Sequence, residues 1–323
     1  MSSRSSGKPV LGGLRRGSET AALIVPGLVL ALAVIGPVRS NSPVRAEPLM
    51  TLAAKPVFRV CADPNNLPFS NRQGQGFENK IAALLAHSLD ERLVYAWWPE
   101  RRGFVGHTVD AGICDVVIGV PSGYPQLLTT RPYYRSTYVF VSRADRALHL
   151  RSLDDARLHQ LRIGLHFTGG RSNPPPADAL ARRGVITNVV AYSIYGDYRT
   201  PNPPARLIDA VAAGDVDVAI VWGPLAGYFA THESVGLDVV PVSPAVDLFA
   251  GAAPMPFTFD IALGVRHGDI RRRDQLPRAL DREAPAIRRI LDDYHVPLVA
   301  DTARPRDTPR HAVPGPRVAG EAE

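Results

Sequence analysis

Two blocks of alternating strand and helix patterns, followed by one further strand and helix, restrict the folds open to this chain of 323 residues. Nearly continuous apolar runs of strand length occur at Cys114–Val120 and Val216–Trp222, which is typical of strands covered on both faces. After residue 256 the chain returns to a strand and a helix without a further partner of their own. We therefore predict an α/β protein of two domains joined by two hinge crossings, with a cleft at the carboxyl ends of both sheets.

The limits of the two domains follow from the polar and small-residue segments between the blocks. We expect lobe 1 to comprise 57–143 with 257–299 and lobe 2 to comprise 144–256, with crossings near Ser142–Arg151 and Ala250–Pro256. Residues 300–323 are rich in Pro, Arg, Ala and Gly without periodicity, which predicts a disordered tail.

Residues 1–46 have the features of a secretory signal. Arg15 and Arg16 precede the apolar run Ala21–Val38, and a small-residue pattern ends at Ala46. We predict a signal peptide that is cleaved after Ala46, which places the mature chain in the periplasm. An uncleaved membrane anchor is the alternative, and it would be the chain's only attachment to a membrane.

Composition and charge limit the classes of binding partner that the sequence favours. Hydrophobic residues make up 45% of the chain and charged residues 21%, as in a soluble globular protein. Much of the formal net charge of +6 comes from arginines in the leader and in 271–289. Because basic residues do not alternate with aromatic ones, the sequence does not favour nucleic-acid binding, whereas a moderately basic surface suits an acidic protein partner.

Cys61 and Cys114 are the only two cysteines. Neither has the spacing of a zinc ligand. If both lie in neighbouring parallel strands, their offset is several residues, which is too long for a disulfide. We predict two buried free thiols, with a disulfide between them in an oxidising compartment as the alternative.

Candidate ligand residues lie where predicted strands end. The strand that begins at Val57 gives way to a loop rich in Asn, Pro and Ser, Asp63–Asn71, which is the arrangement that forms ligand crevices in open α/β sheets. An ordinary connection without a ligand remains the alternative, and core packing is the alternative for the aromatic residues. The candidates for the cleft are Asp63, Asn65, Asn66, Phe69, Gly119, Val120, Tyr133, Thr168, Trp222, Gly223 and Asp260.

Catalytic and metal-binding motifs are missing from the sequence. It contains no nucleophile elbow, phosphate-binding loop or zinc-protease motif, and the nine histidines show no ligand spacing. The loop Thr168–Asn173 contains two glycines, which suit either an anion site or a plain flexible loop. We therefore predict a protein that is not an enzyme, with no metal site and no cofactor of its own.

Motifs spread over most of the mature chain resemble the extracellular family-3 type of periplasmic substrate-binding proteins. They include Gly76-Phe77-Glu78, Gly112–Gly119 and Phe259–Arg266. The resemblance implies the bilobal type II periplasmic-binding fold. Amino-acid-binding members hold the ligand with an arginine and an acidic residue, but this chain has Gly123 and Trp222 there. That departure argues against amino-acid binding, with Arg131 or Arg135 as substitutes that remain open.

A narrower resemblance involves Cys61–Asn71, Cys114–Pro121 and Trp222–Tyr228. These segments are similar to the substrate-binding-like proteins that accompany PQQ-dependent methanol or alcohol dehydrogenases in methylotrophic bacteria. The resemblance implies a periplasmic accessory protein that supports maturation or activation of such a quinoprotein, with PQQ carried by the partner enzyme. Two alternatives remain: the binding component of an ABC transporter for an unidentified small molecule, and a periplasmic enzyme such as a dehydratase.

Overall fold

A computed structural model describes residues 55–167, 173–194 and 200–300. The predicted signal peptide, the tail and Thr168 lie outside the described residues, apart from the tail's first residue, Ala300. The strands are β1 (Val57–Ala62), β2 (Asn65–Asn66), β3 (Ser70–Asn71), β4 (Arg92–Trp97), β5 (Val116–Pro121), β6 (Leu128–Thr129), β7 (Tyr134–Arg143), β8 (Ile163–Phe167), β9 (Val189–Ser193), β10 (Val218–Trp222), β11 (Leu237–Pro241), β12 (Val246–Asp247), β13 (Met255–Pro256) and β14 (Thr258–Val265). The helices are α1 (Phe77–Ser88), α2 (Phe104–His107), α3 (Pro175–Arg182), α4 (Arg206–Ala213), α5 (Gly223–Ala230) and α6 (Ile270–Asp293), with 3-10 turns at Ala144–Arg146, Ala156–His159 and Pro203–Ala205.

The described strands form one ten-stranded sheet that runs through both lobes, and β2-β3 and β12-β13 form two small two-stranded sheets. Strands β7 and β14 pair with each other at the junction of the lobes and are called the shared strands. In lobe 1 the order is β4-β1-β5-β14, with β1 parallel to both of its neighbours and β14 antiparallel to β5. In lobe 2, β10 lies between β7 and the parallel pair β8-β9, and β11 pairs with the other side of β7. The predicted mixed α/β fold with two lobes is confirmed.

The chain passes between the lobes inside β7 and returns where it enters β14. Residues Tyr134–Thr137 of β7 pair with β14, and Tyr138–Ser142 pair with β10. The change of partner thus occurs within a strand and precedes the polar segment Ser142–Arg151. The lobe limits given above stay a prediction.

The strands predicted to be covered on both faces do contact two separate cores. In β10, Val218 and Ile220 belong to one apolar cluster of lobe 2, whereas Ala219 and Val221 belong to the cluster on the opposite face. The alternation of strand side chains between faces explains this division. Helices α4 and α5 cover the second face, and α3 packs on the first.

Cys61 and Cys114 form a disulfide, so the prediction of free thiols is wrong. The prediction assumed that Cys114 lies in an extended strand, but β5 begins two residues later, at Val116. Cys114 therefore belongs to the turn before the strand, and its Cα lies 5.5 Å from that of Cys61, within the range for a disulfide.

Helix α6 begins earlier than the sequence pattern indicates. The pattern predicts a helix from Asp281, but the helix starts at Ile270 and runs through Pro277 and Pro285. Its buried side chains Leu276, Leu280 and Ile287 pack in the lobe 1 core, and this packing offsets the cost of the two prolines.

Within the described ranges, no helix has both the length and the apolar character that spanning a bilayer requires.

Candidate functional site

A cavity of about 350 Å³ lies between the two lobes, beside the shared strands. Its volume is at the lower end of the range for small-molecule pockets. Its walls combine polar, aromatic and aliphatic side chains from both lobes: Asn66, Phe69, Glu78, Glu100, Gly119, Pro121, Tyr134, Tyr138, Ile194, Trp222, Leu225, Phe259 and Ile261.

The loop after β1 is organised around the buried carboxylate of Asp63. This carboxylate accepts the backbone N–H of Asn65 at 2.8 Å and that of Glu100 at 2.6 Å, and Ser70 donates to its backbone oxygen. The side chain is 1% exposed and does not line the cavity. Asp63 therefore positions the cavity wall and does not itself face the cavity.

Glu78 lies in the first turn of α1, and its carboxyl faces a bulge in β5. Gly119 has no partner in β14, since Ile118 pairs with Leu263 and Val120 with Ala262. It adopts a positive φ of +85°, and a Cβ there would lie 1.9 Å from the Glu78 Oε1. Only glycine fits this β-bulge, because it tolerates the positive φ and leaves room for the carboxyl.

Both carboxyl groups of the cavity have raised pKa values. Burial, and then the charge of Glu100, raise the pKa of Glu78 well above its usual range. Burial, and then the charge of Asp63, raise the pKa of Glu100 to about 7, against a lowering by the Asn66 Nδ2, which donates to Glu100 at 3.1 Å. A buried carboxyl without a cation resists ionisation because its charge loses hydration.

Three aromatic side chains from the shared strands and the end of β10 form the opposite wall. The ring centroids of Tyr138 and Trp222 are 5.5 Å apart, and those of Trp222 and Phe259 are 5.9 Å apart, in edge-to-face geometry. Burial raises the pKa of Tyr138 to about 12, so its hydroxyl stays protonated at neutral pH. The wall thus presents ring faces and edges without a cationic side chain.

The lobes are also joined across the cleft by the loop after β1. Leu67, from lobe 1, is 6% exposed and packs in the lobe 2 cluster that includes Leu207 and Phe229. Beside it, the Asn65 Nδ2 donates to the Thr200 oxygen at 2.9 Å, and the Asn202 N–H donates to the Asn65 Oδ1 at 3.3 Å. The loop therefore fastens the lobes to each other.

Only part of the predicted set lines the cavity. Asn66, Phe69, Gly119 and Trp222 do so. Among the others, Asp63 and Asn65 hold the loop after β1, and Val120 is in the lobe 1 core. Tyr133 and Asp260 line a separate pocket of about 310 Å³. Gly223 permits close contact with the Thr137 oxygen, and Thr168 lies outside the described residues.

Arg131 and Arg135, which could replace the missing ligand-binding arginine, form ion pairs outside the cavity. Arg135 forms a two-pronged ion pair with Asp260, at 2.6 and 2.7 Å, between the shared strands. Arg131 pairs with Asp281 on α6. Neither lines the cavity, so the described part of the chain supplies no cation for a ligand carboxylate there.

Sequence reasoning missed Glu78, Glu100, Tyr134, Tyr138 and Phe259 as cavity residues. A signal was available for Glu78, because it belongs to the segment Gly76-Phe77-Glu78 that begins α1. Glu100 had no such signal, since it follows β4 in an irregular turn. Among the described residues, no group of three or more His, Cys, Asp or Glu side chains is placed to hold a metal ion.

Comparison with solved structures assigns the architecture. MxaJ from Methlophaga aminisulfidivorans MPT is 26% identical, with a TM-score of 0.65 over 75% of this chain and all of that one. The periplasmic binding protein XoxJ from Methylobacterium extorquens AM1 is 36% identical, with a TM-score of 0.62 over 76% of this chain and all of that one. Two α/β lobes that share two strands around a cleft define a protein of the periplasmic-binding class.

A curated relative identifies the family within that class. The protein MoxJ of Methylorubrum extorquens is 31% identical over 302 residues, which span 90% of this chain and 98% of MoxJ. No protein-family model matches the chain. The chain belongs to the MoxJ family of periplasmic binding proteins.

Proposed function

We propose that this chain is a periplasmic accessory protein of a PQQ-dependent methanol or alcohol dehydrogenase, which it supports during maturation or activation by direct contact. Family membership over nearly the whole length of MoxJ supports a role in the same methanol-oxidation context. In this proposal the leader directs export, the partner enzyme carries the PQQ, and the chain itself neither holds a cofactor nor catalyses a reaction.

One observation favours an accessory role over amino-acid transport. The cavity presents two carboxyls and an aromatic wall where an amino acid needs a cation for its carboxylate. A bidentate arginine contact cannot be replaced by Gly123, and Arg131 and Arg135 are engaged elsewhere.

The contacts that hold the two lobes together also favour an accessory role over transport. Transport receptors of this architecture open and close about a hinge as the ligand binds and leaves. Opening the cleft here would withdraw Leu67 from the lobe 2 core and expose its side chain to water. A lasting closed form suits a protein whose shape is recognised by a partner.

The test is capture from periplasm of the native host. The full chain with an affinity tag is expressed in a strain that lacks the untagged copy, crosslinked in cells and purified. A quinoprotein dehydrogenase is expected among the crosslinked proteins, and deletion of this chain is expected to lower the active, PQQ-loaded fraction of that enzyme. An unchanged active fraction together with no crosslinked dehydrogenase contradicts the proposal.

The cavity supports a second candidate, the binding component of an ABC transporter. Calorimetry of the purified protein against a panel of metabolites that includes PQQ separates the two. A submicromolar ligand, combined with lobe closure in small-angle scattering, favours transport.

A further inference from the structure

The interlobe cavity is lined by two carboxyl groups, one amide and two tyrosine hydroxyls. Glu78 and Glu100 contribute the carboxyls, and none of the described lining residues is Lys, Arg or His. Asn66 is 6% exposed, and its Oδ1 is fully buried with no hydrogen-bond partner. A buried acceptor without a donor costs about 1–3 kcal/mol, and no described residue donates to this oxygen beside the cavity.

The apolar part of the cavity has a chemistry that complements a cation. Tyr138, Trp222 and Phe259 surround one side, with ring centroids 5.5 to 6.4 Å apart. Aromatic faces carry partial negative charge and attract organic cations, most strongly where water is excluded. The carboxyls and the ring faces therefore favour the same kind of ligand.

We propose that this cavity binds a small organic ammonium cation that lacks a carboxylate. The ammonium group donates to Glu78 and Glu100, and the carbon skeleton packs against Trp222 and Phe259. A carboxylate on the ligand would lie beside two carboxyls with no cation among the described lining residues to receive it, which argues against amino acids and organic acids. The volume of about 350 Å³ suits an amine with a single ring.

A bare metal ion fits the cavity less well. The described residues place only two carboxyls and one amide oxygen there, whereas hard cations such as Ca²⁺ take six to eight oxygen ligands. The aromatic wall contributes nothing to such an ion's first coordination sphere. The ligand class is inferred from the cavity alone and holds whether or not the chain contacts a dehydrogenase.

The test compares three probes that differ in one group. 2-Phenylethylamine, 2-phenylethanol and phenylacetate are titrated into the purified full-length chain at pH 8 by calorimetry. The amine is expected to bind at least tenfold more tightly than the alcohol, and phenylacetate is expected not to bind. Equal affinity for the amine and the alcohol, preferred binding of phenylacetate, or no binding of the amine at millimolar concentration overturns the proposal.

Variants locate the site. Glu78→Gln and Glu100→Gln keep the shape of each side chain and are each expected to weaken amine binding at least tenfold. Glu283→Gln, on α6 outside the cavity, is the matched control and is expected to leave the affinity within twofold. Circular dichroism verifies that each variant is folded. Unchanged affinity in both cavity variants places any amine site elsewhere and refutes the assignment.

Discussion

The carboxylate of Asp63 accepts the backbone N–H of Glu100 at 2.6 Å, and this contact joins the loop after β1 to the turn after β4. The same carboxylate raises the pKa of the Glu100 side chain by its charge. One buried residue thus sets both the position and the protonation of a cavity wall that it does not line.

Replacement of that carboxylate tests both effects. In Asp63→Asn the charge disappears, so we expect the pKa of Glu100 to fall from about 7. One of the two backbone N–H groups loses its acceptor, which should cost about 1–3 kcal/mol of unfolding free energy. Carboxyl NMR titration and urea denaturation measure the two quantities. The exposed Asp110→Asn is the control, and an unchanged pKa of Glu100 in D63N would show that the charge of Asp63 does not act on it.

The close approach of Gly119 to the Glu78 side chain predicts that the cost of a substitution at Gly119 depends on the residue at position 78. Gly119→Ala brings a Cβ to 1.9 Å from the Glu78 Oε1, whereas Gly123→Ala, also at a positive φ, meets nothing within 4 Å. We expect G123A to lose about 1–2 kcal/mol from backbone conformation alone and G119A to lose roughly 1–3 kcal/mol more from the clash. Adding Glu78→Ala should recover the excess in G119A. Denaturant unfolding of the wild type, G119A, E78A, the double variant and G123A measures it, and equal losses in G119A and G123A would refute the contact.

The burial of Leu67 in the opposite lobe predicts a link between stability and shape. Leu67→Ala removes packing from the lobe 2 core and is expected to cost about 2–5 kcal/mol. Since the same side chain holds the cleft closed, the radius of gyration from small-angle scattering should also increase. Leu248→Ala, at a side chain that is 74% exposed, is expected to change neither quantity measurably. A destabilised L67A with an unchanged radius would show that the lobes stay closed without this side chain.

The raised pKa of Glu100 predicts the direction of the pH dependence. An unfolded glutamate has a pKa of about 4.3, so between about pH 4.5 and 7 the folded chain retains a proton that the unfolded chain has released. The unfolding free energy should therefore fall as the pH rises through this range, and Glu78, whose pKa is also raised, acts in the same direction. Urea denaturation from pH 4.5 to 8 measures it. Glu100→Gln should flatten the profile, and an identical slope in this variant would contradict the assignment.

The disulfide predicts sensitivity to reductant. Cys61 and Cys114 are 53 residues apart in the chain, so their bond constrains a long loop of the unfolded state. Reduction is expected to lower the unfolding free energy by about 2–4 kcal/mol. The Cys61→Ser and Cys114→Ser double variant should match the reduced wild type and respond no further to reductant. A wild-type protein whose stability is the same with and without reductant would refute this.

The sequence predicted the lobes from local patterns, and it placed the loop after β1 at the cleft. Asn66, Phe69 and Trp222 were found because strand ends in open α/β sheets converge on one edge. The approach of Glu78 and Glu100 was not found, because the two belong to different elements and nothing in the local pattern states their distance. The first turns of α6 were likewise not found, although Leu276 and Leu280 pack in the lobe 1 core.

By itself the sequence predicted the alternation of strands and helices, though not the start of α6, because apolar periodicity depends on local geometry and on which face is buried. It also indicated the family, because its motifs can be recognised from the residues alone, without knowledge of which residues are in contact. Tertiary structure alone decided that Cys114 turns back to reach Cys61, that Leu67 enters the opposite lobe, and that two carboxyls share an aromatic cavity. Each of these depends on the packing of segments that are far apart in the sequence. Burial and Coulomb interactions between such segments act through space, so they produce no periodic pattern in the sequence.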